Sequence, residues 1–287
     1  MSKLVCKPSE IRKRKINDII ARIIVWGASI FTISVLVWIL GYILIKGLPH
    51  VTLEFLISEY RGEKEGILYF IINTLYIVLL TVVISTPIGI FTAIYLVEYS
   101  KQGRTVKMIR FAVETLAGIP SIIYGLFGLI FFVTVCRLSH SLLAGAFTLS
   151  IMVLPTIIRT TEEALKSVPA SFREGSLALG ATKLLTTLKV VLPCAIPGIL
   201  TAVILSIGRI VGETAALIYT SGINTNLAQN VTSGGRTLSL HLYLLANEGI
   251  SFDKAFATAS ILLIIVFLIN IVSNKTASKL KRLTMGK

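Results

Sequence analysis

The sequence has no Gly-x-x-x-x-Gly-Lys-Ser/Thr loop and no His-Glu-x-x-His pair. The first absence removes the phosphate-cradling loop of nucleotide hydrolases, so this chain is not expected to hydrolyse ATP alone. The second removes the helical zinc pair of metalloproteases. Cysteine is sparse: Cys6, Cys136 and Cys194 fit no metal-ligand or redox spacing and read as unpaired thiols. His50 and His241 have no partners at metal spacing. There is no internal repeat, no low-complexity tract, and no room for a second soluble domain. Charge is scarce as well, at 15% of residues, and acidic side chains number 14 against 28 basic ones.

What is abundant is apolar. Hydrophobic residues make up 54% of the chain, more than a soluble domain carries. They come in blocks rather than stripes: 23–45, 67–97, 111–135, 141–158, 196–220 and 255–271 are long and nearly free of charge. A bilayer core of roughly 30 Å takes about 20 apolar residues per helix, so six blocks predict six spans. The first block is longer than a signal-peptide core and no small-residue cleavage site follows it, which predicts a retained helix.

The net charge of +14 is not spread as a nucleic-acid surface would be. Lys3, Lys7, Arg12, Lys13, Arg14, Lys15 and Arg22 precede the first block. Lys101, Arg104, Lys107 and Arg110 lie between the second and third blocks, and Arg159, Lys166, Arg173, Lys183 and Lys189 between the fourth and fifth. Lys275, Lys279, Lys281, Arg282 and Lys287 follow the sixth. The first alternate loop is acidic instead, with Glu54, Glu59, Glu63 and Glu65. Basic residues accumulate on the cytoplasmic side, so this alternation places both termini in the cytoplasm of a multi-pass protein of the cytoplasmic membrane, with no nucleic-acid partner. The expected organisation is a basic tail (1–22), a first helix with an outer segment (23–66), a five-helix core (67–273) holding a long cytoplasmic loop (159–192), and a basic tail (274–287).

That loop reads as two short helices. Ser171 and Glu174 have capping-box spacing, predicting a helix from there through Leu179. Gly180 suits the left-handed position after a helix. Thr182 suits the N-cap of a second helix ending before Pro193. In the outer loop 221–254, a short half-buried helix is expected around 238–246. Pro87 with Gly89, Gly118 with Pro120, Pro155, and Gly208 with Gly212 predict kinks or close contacts in the spans.

Glu174-Gly175-Ser176, three residues, Gly180, nine residues, then Val190-Val191-Leu192-Pro193 resembles the cytoplasmic-loop signature of ABC importer permeases, Glu-Ala-Ala-x3-Gly-x9-Ile-x-Leu-Pro. The spacing matches fully; Gly-Ser replaces Ala-Ala and Val replaces Ile. The stretches 118–128 and 208–216 look like the third-span and fifth-span sequences of phosphate permeases, closer to the PstA type than the PstC type. The resemblance implies an all-α integral membrane fold of the type I ABC importer permeases, six transmembrane helices with a cytoplasmic coupling helix. It implies coupling to an ATPase through Glu174, Gly175, Ser176, Gly180 and Pro193. The implied partners are a second phosphate permease subunit (PstC type), an ABC ATPase dimer (PstB type) that holds the ATP and Mg, and an extracytoplasmic phosphate-binding protein (PstS type). This chain itself is expected to bind no cofactor. A sulfate or molybdate permease, or an ion-coupled carrier, remains the alternative; the carrier predicts inverted repeats and more intramembrane carboxylates.

Arg209 falls within the fifth block, where an ionised side chain is costly and marks a functional position. Glu213 follows at i+4 on the same helix face. Arg209 is expected to attract phosphate along the translocation pathway, with Glu213 holding it or accepting a phosphate proton. The competing reading is a local ion pair serving folding or subunit docking. Glu98 and Glu114 read as interface or helix-end charges, and Arg137 and His140 as outer-turn groups contacting a binding protein, a lipid head group or the ion; Asn73, Thr74, Ser121 and Tyr124 read as packing residues, with hydrogen bonds between helices as the alternative.

Overall fold

The computed structural model describes residues 8–61, 64–101 and 103–285. Lys3, Lys7 and Glu63 lie outside the described residues. The first helix, α1 (Pro8–Gly47), absorbs the rest of the basic tail. After a one-turn 3-10 helix come α2 (Leu53–Ile57) and the two-residue strands β1 (Tyr60–Arg61) and β2 (Lys64–Glu65), which pair antiparallel. α3 (Leu68–Ile94) ends in a π turn, Tyr95–Tyr99. α4 (Arg104–Ala117) and α5 (Ser121–Gly128) follow, α5 running into a second π stretch, Leu129–Val135. α6 is Leu142–Lys166 and α7 is Ala170–Ala178. α8 (Lys183–Thr186), a π turn (Thr187–Val191) and α9 (Leu192–Val211) form one rod. α10 (Ala215–Thr220), α11 (Leu238–Asn247) and α12 (Phe252–Met285) complete the chain.

Five of these helices are long and apolar enough to cross a membrane, and a sixth crossing exists if α4 and α5 with its π extension count as one. The expected third span is thus a broken one. α4 and α5 meet at 101° across Gly118-Ile119-Pro120. Proline accounts for this: Pro120 is the N-cap of α5, and proline disfavours helical geometry at the residue before it. By contrast Pro87, Pro155 and Pro197 lie inside helices that continue through them.

The centre of the bundle is the seam of α3 with α6. Small residues let the two backbones approach: a Cβ on Gly89 would lie 2.5 Å from Ile157 Cγ2. Ser150 Oγ donates to the Thr81 carbonyl across the seam at 3.4 Å. Ile77, Leu149, Met152, Val153, Ile210 and Leu217 fill the space between α3, α6, α9 and α10. α9 crosses α6 where Gly198 meets Ala164, leaving no room for a side chain on the glycine.

α1 stands apart from this core. It is tied to α12 at one end, where Ser260 Oγ donates to the Ile43 carbonyl at 3.1 Å and Tyr42 meets the Phe256 ring edge-on at 5.7 Å. Ile23, Trp26, Phe31 and Val37 are exposed. An apolar helix exposed on every side is stable only in lipid or against another chain.

Candidate functional site

The expected fifth span, 196–220, is also two pieces. α9 ends at Val211, residues 212–214 leave the helix, and α10 starts at Ala215. Arg209 therefore occupies the last turn of α9 rather than the middle of a continuous span. Its side chain is exposed. Among the described residues Arg209 forms no ion pair and no hydrogen bond, so the expected pairing with Glu213 is not made. Once the helix stops at Val211, the i+4 relation no longer places the two groups side by side. Glu213 instead caps the next helix: its Oε1 accepts from the Ala216 amide at 3.1 Å. Its backbone carbonyl accepts from Ser239 Oγ at 2.8 Å.

The two breaks are neighbours. A Cβ on Gly125 of α5 would lie 2.9 Å from Ala216 Cα of α10. Gly128 packs as tightly against Thr148 and Thr220. The glycines of 118–128 thus seat α5 on α10, bringing together two stretches about 90 residues apart in the chain. Tyr124 is buried, and its hydroxyl donates to the Leu116 carbonyl at 2.7 Å, bracing the bend of its own span rather than bridging separate spans. An exposed guanidinium beside two interrupted helices can attract an oxyanion, because its planar fork donates two parallel hydrogen bonds.

The loop between α6 and the α8–α9 rod is shorter than expected. Arg159 and Lys166 belong to α6, and helix resumes at Lys183, leaving Ser167–Thr182 around α7. Gly180 has φ +84°, the left-handed conformation its position required, and Thr182 caps α8 by accepting from the Leu185 amide at 3.3 Å. Two expectations fail. Ser171 does not cap α7; Pro169 precedes its first residue and supplies the extended entry. The second helix does not end before Pro193. Pro193 lies inside the continuous rod; the π turn Thr187–Val191 just ahead of it carries the preceding carbonyls that proline's ring and missing N–H would otherwise disrupt.

α7 buries no residue. Glu174 and Gly175 are exposed, and a Cβ on Gly175 would meet nothing within 4 Å. The small residue therefore has no packing role inside this chain. Leu179 is 91% exposed, and Phe172 and Leu177 are about half exposed. Ser176 Oγ shares a hydrogen bond of 2.9 Å with Thr186 Oγ1, closing the turn around Gly180.

Glu98, Glu114, Asn73 and Thr74 prove more engaged than their sequence positions indicated. Glu98 pairs with Arg173 at 2.7 Å and Glu114 with Arg159 at 3.8 Å. Glu162 joins Arg110 at 3.3 Å and Lys166 at 2.7 Å, pinning α4 to α6. Asn73 bonds not to another span but to the segment before α11, and Thr74 to the first residue of α11. Asn73 Nδ2 donates to the Asn226 and Arg236 carbonyls at 3.3 and 3.2 Å, and its Oδ1 accepts from the Ala228 amide at 3.1 Å. Thr74 Oγ1 accepts from the Leu238 amide at 2.9 Å.

α11 itself holds His241, buried against Phe70 with ring centroids 4.1 Å apart. Arg236 Nη1 lies 3.3 Å from His241 Nδ1. A guanidinium only donates, so Nδ1 accepts and the ring is neutral. Burial, reinforced by the Arg236 charge, lowers the His241 pKa from 6.5 to about 3. Because the folded value lies below the unfolded one, this contribution to stability is complete above about pH 6.5 and is lost as pH falls toward 3, at roughly 1.4 kcal/mol per unit. Limited proteolysis of residues 221–250 should accelerate between pH 6 and pH 4. His241→Phe, which cannot take up the proton, should flatten that dependence.

Residues 85–278 match the family model described as the binding-protein-dependent transport system inner membrane component. The phosphate transport system permease protein PstA of Pasteurella multocida is 34% identical over 263 residues, spanning 90% of this chain and 93% of the relative. The probable ABC transporter permease protein YqgI of Bacillus subtilis is 32% identical over 276 residues, 90% of this chain and 94% of its own. Among solved structures, a chain of a bacterial alginate ABC transporter superposes with a TM-score of 0.67 at 16% identity, covering 92% of this chain and 98% of that one. The breaks and the α7 loop described above fall inside the family match.

Proposed function

The chain belongs to the family of binding-protein-dependent transport system inner membrane components, and from that premise we propose that it is the PstA-type permease subunit of an ATP-driven importer of inorganic phosphate. It is a multi-pass membrane protein. Both termini and α7 lie in the cytoplasm, as the distribution of basic residues favours. A separate PstB-type ATPase dimer holds ATP and Mg. A PstC-type permease pairs with this chain, and a PstS-type protein delivers phosphate from outside. Phosphate passes between the two permeases, past Arg209.

The substrate is supported by the likeness to phosphate permeases along nine-tenths of the chain. The route is supported by one geometric observation: Arg209 is exposed on an otherwise apolar helix, beside two helix breaks, with no partner of its own among the described residues. A charge on an apolar membrane helix is costly and persists where a cavity or ligand answers it. Docking of the ATPase on α7 is supported by its exposed signature residues and by the bare surface at Gly175.

The test is uptake into vesicles holding the assembled transporter. ATP-dependent phosphate uptake that excess sulfate or molybdate leaves unchanged is the expected result. Equal inhibition by sulfate, or accumulation driven by an ion gradient without ATP, would overturn the reading.

A further inference from the structure

α7 has almost nothing of its own to fix its direction. It buries no residue, and it is joined to the bundle only through the Ser167–Pro169 entry and to α8 through Gly180 at φ +84°. The Ser176–Thr186 hydrogen bond ties it to α8 but not to the bundle. One side chain supplies the missing tie. Arg173 Nε and Nη2 donate to Glu98 Oε1 at 3.0 and 2.7 Å. Nη1 donates to the Val168 carbonyl at 2.8 Å, and Nη2 also donates to the Leu165 carbonyl at 2.8 Å. Glu98 lies in the π turn that ends α3, and Leu165 in the last turn of α6. A single guanidinium therefore clasps α7 to the ends of the two helices that form the central seam.

The clasp is built to be stiff. The Glu98 side chain is 8% exposed and that of Arg173 23%, so water screens the pair weakly. The planar fork fixes direction as well as distance, which a lysine ammonium would not. The carbonyls it binds lie at and just beyond the C-terminal end of α6, the negative end of that helix's dipole. Because α3 and α6 meet through glycine and small hydroxyl residues, a push delivered at their shared end moves them together.

We propose that Arg173 is the positioning residue that carries displacement of α7 into the α3–α6 pair. This rests on the reading that α7 docks on the ATPase. With Arg173 absent, α7 keeps only its chain connections and the Ser176–Thr186 bond, and ATPase closure is absorbed in tilting it instead of reaching the permease.

The test uses the assembled transporter in vesicles with its binding protein. Three chains are compared: unchanged, Arg173→Met, and the double variant Arg173→Met with Glu98→Met. In each, Leu179→Cys carries a photoreactive cross-linker, with the native cysteines replaced. Arg173→Met alone leaves a buried carboxylate unanswered. The double variant removes both charges and leaves an apolar contact, which restores the fit without the clasp. The expected result is that the double variant assembles, cross-links to the ATPase and keeps basal ATP hydrolysis. Stimulation of hydrolysis by loaded binding protein, and phosphate taken up per ATP, should both fall about tenfold or more. Normal coupling in the double variant would overturn the proposal, since Arg173 would then merely neutralise Glu98. Failure of that variant to assemble would overturn it too, by making the clasp a folding element. No cross-link even with Arg173 in place would overturn the docking reading and this proposal with it.

Discussion

Arg209→Gln is expected to lower phosphate uptake by about 100-fold or more while the complex still assembles. Hydrogen bonds to a charged group contribute about 1.5–3 kcal/mol, and each 1.4 kcal/mol is tenfold in rate, so losing a two-pronged contact to phosphate accounts for a loss of that size. Assembly should not suffer, because Arg209 has no ion pair or hydrogen bond among the described residues and its removal relieves an exposed charge on an apolar helix. Arg209→Lys should fall between the two, keeping the charge without the fork. Glu213→Gln is a separate probe. Its amide oxygen can still accept from the Ala216 amide, so a change in uptake or in the exclusion of sulfate would report the charge and not the cap. Uptake and co-purification with the partner subunits are measured together. An Arg209→Gln complex that transports normally removes the residue from the pathway. One that fails to assemble assigns it to subunit contact.

Asn73→Leu should release the outer segment. Asn73 is fully buried and makes three hydrogen bonds to backbone groups of residues 226–236. Leucine leaves the Asn226 and Arg236 carbonyls and the Ala228 amide without their side-chain partner, at about 1–3 kcal/mol for each group that stays buried. A Cβ on Gly235 would already lie 2.7 Å from Asn73 Nδ2, so the bulkier leucine has little room to repack. The segment escapes most of the cost by undocking into water. Protease cleavage between residues 222 and 237 should rise sharply, with a lowered thermal midpoint. Unchanged cleavage would show that Thr74 and the packing of α11 suffice. Asn73→Asp should be at least as severe, because a second carboxylate oxygen would replace Nδ2 and face both carbonyls.

Local features of the chain were legible in advance, and distant partnerships were not. The apolar blocks marked the membrane helices because composition alone decides which segments can enter lipid. Gly180 and Thr182 announced their positions because a positive φ and an N-cap depend on the residue itself and its near neighbours. The helix expected around 238–246 is α11. The 101° turn at Pro120 was legible as a break but not as an angle, which the seating of α5 on α10 decides. Pro193 misled because proline usually ends a helix, whereas here a π turn just ahead of it lets the rod run through. The Arg209–Glu213 pair failed because i+4 spacing holds only while the helix continues. Glu98 and Arg173, 75 residues apart, carried no mark of their pairing. A charge at each helix end is common, and only the tertiary fold shows which ends meet.

The rod of α8, its π turn and α9 packs along α6 and comes closest to it at Gly198 on Ala164. That point divides the rod like the pivot of a see-saw. Lys183 lies 15 residues to one side and Arg209 lies 11 to the other, arms of ~22 Å and ~16 Å at 1.5 Å per residue. A rock of about 10° then swings the two ends in opposite directions by roughly 4 Å and 3 Å. The second excursion is comparable to the length of a hydrogen bond, enough for a guanidinium to take hold of an oxyanion or let it go. No hinge within the rod is needed. Inward motion of the Lys183 end would carry the Arg209 end outward on the same helix, so the two ends move as one body.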